Sequence, residues 1–179
     1  MARYKVSVNV QSSLKKANDS IDWTKALTAL GLAAIRFNRE RIVKNNENVD
    51  GTRFRRYTKE YSRKKILTGR SGDPNLTLTG NLLKSMAILS LNLLAKIVII
   101  GFSGSSNASK LRAKAGIRSK GKKRKFLKAT KYTVTDTTKQ ISNRLKAVGN
   151  QNNGRDVIGL SQKDTTRLSQ VLQRIIKKA

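Results

Sequence analysis

The sequence contains no cysteine and no histidine, and it has a single proline among its 179 residues. Disulfide frameworks are therefore excluded, and so are zinc sites built from thiolate and imidazole ligands. Catalysis by a cysteine nucleophile, or by a nucleophile that histidine activates, is excluded for the same reason. Any catalysis would have to use carboxylates, lysine or serine.

Acidic residues are also scarce. The ten Asp and Glu residues are scattered singly, except for Asp19 and Asp22, which have the position of helix-start residues. Two-metal hydrolysis and glycoside hydrolysis both need carboxylates that converge on one point, and no motif in the sequence brings carboxylates together. We therefore predict that the chain is not an enzyme and that it holds no cofactor and no metal ion.

Basic residues dominate the sequence. The 39 Lys and Arg residues give a formal net charge of +29. Such a charge repels itself and destabilises a free monomer, so we expect an acidic partner in the working state. That partner is either nucleic acid or the acidic surface of another protein, and composition leaves both open.

Long apolar runs are missing as well. No stretch reaches the roughly 20 apolar residues that a membrane span needs. The N-terminal "MARYKVSVNV" alternates, where a signal peptide would have an apolar block. We therefore predict no membrane association and synthesis in a cytoplasm without export.

The first third of the chain predicts a strand and a long helix. In "RYKVSVNV", Tyr4, Val6, Val8 and Val10 alternate with polar residues, as in a strand with one buried face. Asp19 or Ser20 is the predicted cap of a helix over residues 21–44, in which Gly31 indicates close packing against another element. Its apolar stripe consists of Trp23, Ala26, Leu27, Leu30, Ala34 and Phe37.

The middle of the chain predicts a loop, a short helix near residues 58–66 and a second loop. Tyr57 and Tyr61 stand four residues apart, a spacing that favours their packing a short helix onto the core. Because arginines surround them, stacking on single-stranded bases is the alternative. Thr79 is the predicted cap of a further short helix that holds Leu82, Leu83 and Met86.

A sheet and a basic loop are predicted next. "AILSL" and "AKIVIIGF" read as two strands joined at "NLL", and with the first strand they make the sheet. Residues 103–131 contain no acid and many Lys, Arg, Ser and Gly, which predicts a flexible basic loop or insertion. The loop lacks a base-reading motif, so any DNA contact there should be independent of sequence.

The last part of the chain predicts two helices. One runs from about residue 136 to 148, with Ile141 and Leu145 inward, Gly149 as terminator and "GNQNNG" as a loop. In "GRDVIGLSQKD", Val157 and Ile158 make a strand-like approach, and Ser161 with Asp164 begins the C-terminal helix as a capping box. The apolar stripe of that helix consists of Leu168, Val171, Leu172, Ile175 and Ile176.

Together these patterns predict one α+β domain over residues 1–179. A small antiparallel sheet packs with a long N-terminal helix and a C-terminal helix, and long basic loops connect the elements.

Three short motifs follow one another in the chain. The first, G-x-x-[WF]-x-x-[LY]-x-x-x-Y, corresponds to Gly51, Phe54, Tyr57 and Tyr61; the second, L-x-x-[ST]-G-x-L-x-x-S, to Leu76 or Leu78, Thr79, Gly80, Leu82 or Leu83, and Ser85. The third, R-x-[FV]-[LI]-G-[LF]-S-x-x-D, corresponds to Arg155, Val157, Ile158, Gly159, Leu160, Ser161 and Asp164. In this order the motifs resemble those of the phage virion morphogenesis and tail-completion proteins of long-tailed phages.

The resemblance implies a non-enzymatic structural subunit of the head-to-tail junction, in a neck or tail-completion ring of six or twelve copies. It also implies head connector or adaptor and tail proteins as neighbours, with genomic DNA in the channel bound without sequence specificity. The implied location is the virion, after assembly in the host cytoplasm. A sequence-independent nucleic-acid-binding protein, of ribosome-associated or nucleoid type, is the alternative that composition supports equally well.

The resemblance also selects a candidate basic surface that faces DNA or a partner protein. Its residues are Arg53, Arg55, Arg56, Arg63, Lys64, Lys65, Lys110, Arg112, Lys114, Arg118, Lys120, Lys122, Lys123, Arg124, Lys125 and Lys128. The candidate motif residues are Gly80, Arg155, Gly159, Ser161 and Asp164.

Overall fold

The computed structural model describes residues 6–7, 21–76, 80–113 and 132–178 of the chain. In chain order the elements are β1 (Val6–Ser7), α1 (Trp23–Glu40), a π-helical turn (Arg41–Asn45), α2 (Lys59–Ile66), α3 (Asn81–Lys84), β2 (Met86–Asn92), β3 (Ile97–Phe102), β4 (Ser105–Ala113), β5 (Tyr132–Ser142), α4 (Asn143–Asn152) and α5 (Gln162–Ile176).

Helix α1 is confirmed, but it begins at a different cap. The side chain of Asp22 accepts a hydrogen bond from the Lys25 amide at 3.0 Å and so caps the helix, while Asp19 and Ser20 lie outside the described residues. The predicted stripe is buried from Ala26 to Phe37. Trp23, at the first turn, is only half-buried.

The predicted sheet is also confirmed. Its order is β1-β3-β2, and both neighbouring pairs are antiparallel. Of the first predicted strand, the structure describes Val6 and Ser7; Tyr4, Val8 and Val10 lie outside the described residues. Helix α1 packs on this sheet at Gly31, where a Cβ atom would lie only 2.8 Å from the side chain of Ile88. The close packing inferred from this glycine is therefore confirmed.

Two short helices precede the sheet. Helix α2 matches the prediction and is capped by Thr58, whose Oγ1 accepts from the Tyr61 amide at 3.3 Å. Helix α3 begins after Gly80, which has φ 73°, and Thr79 is outside the described residues. Placing Met86 in this helix was wrong: Met86 begins β2 and pairs with Phe102, because the helix ends where the sheet ladder starts.

The prediction of a basic loop over residues 103–131 was partly wrong. Residues Ser105–Ala113 form β4, which pairs with β5 in a separate two-stranded sheet, and residues 114–131 lie outside the described residues. The helix predicted to start at about residue 136 was also wrong, because these residues belong to β5, which pairs with β4. Up to Ser142 the chain is strand, rich in threonine, whose β-branched side chain favours strands.

Helix α4 therefore starts later than predicted. Ser142 caps it, and Ile141 belongs to β5. Leu145 is exposed, and Ala147 takes the buried position instead. Gly149 lies inside the helix, which includes the first part of "GNQNNG" and ends at Asn152. The loop prediction for that segment was wrong.

The C-terminal helix α5 is confirmed in detail. Ser161 and Asp164 form the predicted capping box, and the predicted stripe is buried or half-buried where α5 packs on α1. At this junction the Arg167 guanidinium lies 3.8 Å from the centre of the Phe37 ring and donates to Glu40 at 2.9 Å. The fold is α+β, as predicted. No helix in the described part of the chain is both long and apolar enough to cross a membrane.

Candidate anion-binding cleft

A cleft of about 840 Å³ opens between the end of the π-helical turn, the segment after Gly51, and helix α2 with the loop that follows it. Its cationic side chains come from three different segments and share the same cavity. The lining residues are Lys44, Asn45, Asn46, Arg53, Phe54, Arg56, Tyr57, Lys59, Ser62, Arg63, Ile66, Leu67, Gly72, Asp73 and Pro74.

The cleft is strongly basic. It is lined by five cationic residues, Lys44, Arg53, Arg56, Lys59 and Arg63, all exposed, and by one acid, Asp73. The Asp73 carboxylate accepts a hydrogen bond from the Ser71 hydroxyl at 2.6 Å. Several positive side chains around one concave surface concentrate anions there, so the arrangement suits phosphate or carboxylate groups.

A tight turn positions Arg53. Asn46 ends the π-helical turn with φ 56°, and the chain folds back so that the Phe54 amide donates to the Asn46 carbonyl at 2.7 Å. Asp50 accepts from the Thr52 amide at 2.9 Å, and Gly51 supplies a φ of 84°. Phe54 is then buried, which leaves the arginines on either side of it exposed.

Lys65 holds the opposite wall in place. Its ammonium donates to the Asp73 carbonyl at 2.9 Å and to Asn75 Oδ1 at 2.8 Å, and it lies over the Tyr57 ring. The residue has no exposed surface. Burial lowers the pKa of Lys65 to about 8 from 10.5, against the opposing effect of the Asp73 charge. Lys65 therefore ties helix α2 to the loop that follows it.

Tyr57 forms the back of the cleft. Its ring meets the Tyr61 ring edge-on with centroids 4.8 Å apart, and the guanidinium of Arg155 lies 4.7 Å from its centroid. Burial raises the pKa of both tyrosines. With Arg155 and Lys65 also over its ring, Tyr57 packs within the protein, which supports the structural interpretation of the pair over base stacking.

Arg41 connects the cleft to the C-terminal motif. The buried guanidinium donates to the carbonyls of Glu47 at 2.6 Å, Asp156 at 3.2 Å and Gly159 at 3.4 Å. Its Nε atom lies 3.8 Å from Oδ2 of Asp164. Burial lowers the pKa of Arg41, and the Asp164 carboxylate opposes this shift. One side chain thus joins the start of the cleft turn to the segment before α5.

The C-terminal motif makes further contacts to the same turn. Arg155 donates from Nε to the Arg55 carbonyl at 3.2 Å, and the Asp156 amide donates to Asn48 Oδ1 at 2.8 Å. Gly159 has φ 150°, and a Cβ atom there would collide with the side chain of Val49. The motif therefore supports the loop that carries the cleft arginines.

The predicted basic residues fall into distinct groups. Arg53, Arg56 and Arg63 line the cleft, whereas Arg55 is exposed beside it and Arg112 is exposed on β4. Lys64 pairs with Glu60 and lies over the Tyr132 ring. Lys65 is fully buried in this structure and does not face a partner. Lys110 belongs to β4, and the remaining members lie outside the described residues: Lys114, Arg118, Lys120, Lys122, Lys123, Arg124, Lys125 and Lys128.

Sequence reasoning missed three residues of this region. Lys44 and Lys59 line the cleft, and Arg41 holds it to the C-terminal motif. Arg41 stands four residues after Phe37, is buried, and begins the π-helical turn that follows α1. A cation that continues an apolar stripe was the signal that could have identified it.

No group of three or more metal-ligating side chains occurs within the described ranges. The cleft thus offers several cations to an anion. Comparisons of the chain with protein-family models, with curated proteins and with solved structures gave no match.

Proposed function

We propose that this chain is a structural virion protein of the head-to-tail junction of a tailed phage, where it joins the head connector to the tail around the DNA channel. The observation that carries the proposal is the contact between the C-terminal motif and the basic cleft. Arg155 donates to the Arg55 carbonyl, and Arg41 donates to the carbonyls of Asp156 and Gly159. The motif residues behind the family resemblance thus hold the cationic loop in place.

The chemistry of the cleft supports this role. A channel through which a genome passes needs cations that hold phosphates and do not read bases. The cleft is lined by five cations, and of its two aromatic residues Phe54 is buried and Tyr57 is packed against Arg155 and Lys65. Contacts of this kind are independent of sequence and weaken with salt.

The partners belong to the same proposal. They are further copies of the chain in a ring of six or twelve, the head connector or adaptor, tail proteins, and genomic DNA. The proposed location is the virion, with assembly in the host cytoplasm. The role is structural, and the proposal assigns the chain no enzymatic step.

A charge-neutralised cleft variant tests the role in assembly. In a phage that lacks its own copy of the gene, we expect the variant to give fewer joined, DNA-retaining particles than the wild type. The variant is Arg53→Gln/Arg56→Gln/Arg63→Gln. The control removes the same charge from helix α5 and the residue after it, and it should give wild-type yields: Lys163→Gln/Arg174→Gln/Lys177→Gln. Wild-type particle yields from the cleft variant would contradict the proposal.

The second candidate function is sequence-independent nucleic-acid binding of the ribosome-associated or nucleoid type, which the same cleft favours. Each phosphate contact contributes about 0.9 to the dependence of log K on log salt, so the cleft variant should lower that slope by up to about 2.7. Both functions predict this loss. They differ in assembly: a nucleic-acid binder of this type travels with RNA or DNA one copy at a time, and a junction protein joins a ring.

A further inference from the structure

The β2–β3 hairpin is the charge-poor part of this chain. From Ser85 to Ser109 the only charged residue is Lys96, in a protein with a net charge of +29. The Lys96 ammonium lies 4.2 Å from the centre of the Trp23 ring, which keeps its charge beside the first turn of α1. The hairpin therefore presents a neutral surface in an otherwise strongly basic chain.

This neutral surface is also apolar and lies at a sheet edge. The order β1-β3-β2 places β2 at the edge, with no further strand on its outer side in the described part of the chain. Four leucines on β2 and the turn are exposed: Leu89, Leu91, Leu93 and Leu94, the last of them 98% exposed. Leu89 occupies the bulge in β2 and lies against Gly101 on β3.

An edge of this kind is normally protected. Proteins place lysine, proline or other charged residues on edge strands because the unpaired backbone groups otherwise pair with another chain. The segment from Ser85 to Ala95 has none of these residues, and its one protective feature is the bulge between Ile88 and Ser90. Exposed leucines beside an unprotected edge indicate a surface that is covered by a partner.

We propose that this surface is an interface between two copies of the chain, formed by β2 and by the leucines at the hairpin tip. Charge selects the second copy as the occupant. Two chains of +29 repel each other, and their approach is least unfavourable where both surfaces are neutral. Across a twofold axis perpendicular to the strand, a strand and its own copy run antiparallel, so β2 offers the copy matching backbone groups and matching leucines.

The charge of the chain gives this interface a characteristic salt dependence. Repulsion between the two copies falls as salt shortens the Debye length, from about 10 Å at 0.1 M to about 3 Å at 1 M. The free energy gained by burying leucine does not weaken over that range of salt concentration. Pairing of copies therefore strengthens with salt, whereas nucleic-acid binding by the cleft weakens with salt. A twofold contact joins two copies and does not by itself close a ring, so this inference is independent of the proposed virion role.

Sedimentation equilibrium of the nucleic-acid-free protein at about 0.1 M and about 1 M NaCl tests the proposal. We expect the wild type to shift from monomer toward dimer as salt rises. The variant Leu91→Lys/Leu94→Lys should dimerise at least about a hundredfold more weakly, since it places charges where leucines are buried in the pair. Circular dichroism should show the wild-type fold, because both leucines are exposed in the monomer.

A matched control uses exposed leucines on helices α1 and α4. Leu32→Lys/Leu145→Lys adds the same charge away from the hairpin and should dimerise as the wild type does. The proposal is overturned if the wild type stays monomeric at high salt, or if the hairpin variant dimerises like the control. Assembly that the hairpin variant retains at high salt would also overturn it, because the hairpin contact would then not be the one that joins the copies. DNA binding by the hairpin variant should retain the wild-type salt slope, which separates this test from that of the cleft.

Discussion

Replacing Arg41 by methionine removes the side chain that connects the cleft turn to the C-terminal motif. The change deletes hydrogen bonds to the carbonyls of Glu47, Asp156 and Gly159, and it leaves the buried Asp164 carboxylate without its cation. Asp164 still accepts hydrogen bonds from the Ser161 amide and hydroxyl. We therefore expect the start of α5 to survive while the junction loosens.

The size of the effect follows from burial. The side chains of Arg41 and Asp164 are each only 4% exposed. Removing one partner of a buried ion pair costs about 3–5 kcal/mol, because the other charge stays buried and uncompensated. Domains of this kind are stable by only about 5–15 kcal/mol. The variant should therefore lose a large share of the free energy of unfolding.

Urea unfolding followed by circular dichroism measures this loss. Arg174→Met is the matched control, since Arg174 is exposed near the end of helix α5, and a surface change of this kind usually stays within about 0.5 kcal/mol. If the free energy of unfolding of Arg41→Met lies within about 1 kcal/mol of the wild-type value, the Arg41 network does not stabilise the junction.

Two further predictions concern packing and pH. Gly31→Ala should destabilise the fold by about 1–3 kcal/mol, because the added Cβ atom would lie within 2.9 Å of Ile88 and Val98. Gly149→Ala should stabilise the fold by about 0.5–1 kcal/mol, because this Cβ atom would meet no atom within 4 Å and alanine favours the helix. Thermal melts check both; equal shifts would refute the packing argument. For Lys65, whose pKa falls from 10.5 in the unfolded chain to about 8, the folded chain loses its proton first. The stability of the wild type relative to Lys65→Met should therefore rise between about pH 8 and pH 10, by at most about 3 kcal/mol. If the difference in the free energy of unfolding between the wild type and Lys65→Met stays constant across that range, the Lys65 ammonium is not buried in the folded chain.

Apolar periodicity predicted those parts of the fold that bury one face. The stripes of α1 and α5 and the strand β3 were readable because burial imposes a spacing on the sequence, whereas β2 was readable as an apolar run although most of it is exposed. Strands β4 and β5 carry no such pattern. Ser, Thr and Lys fill them, and their strand conformation depends on pairing with each other across residues that are distant in sequence.

The cleft was predictable only in part. Its arginines lie in one basic segment, so composition identified Arg53, Arg56 and Arg63. Lys44 joins them only through the tertiary fold, which local spacing does not contain. Lys65 was placed on the surface because its neighbours are basic, although it follows Tyr61 by four residues on the same helix face. That spacing was the sign of its burial.

The most direct test of the proposed virion role is a quantitative mass-spectrometric inventory of purified virus particles from the source system, combined with a density map of the neck. If the chain has this role, we expect a small, fixed number of copies on the tail axis, between the head connector and the tail. Absence of the chain from finished particles, or its recovery with ribosomes or free nucleic acid, would rule out the virion role and favour the nucleic-acid-binding alternative.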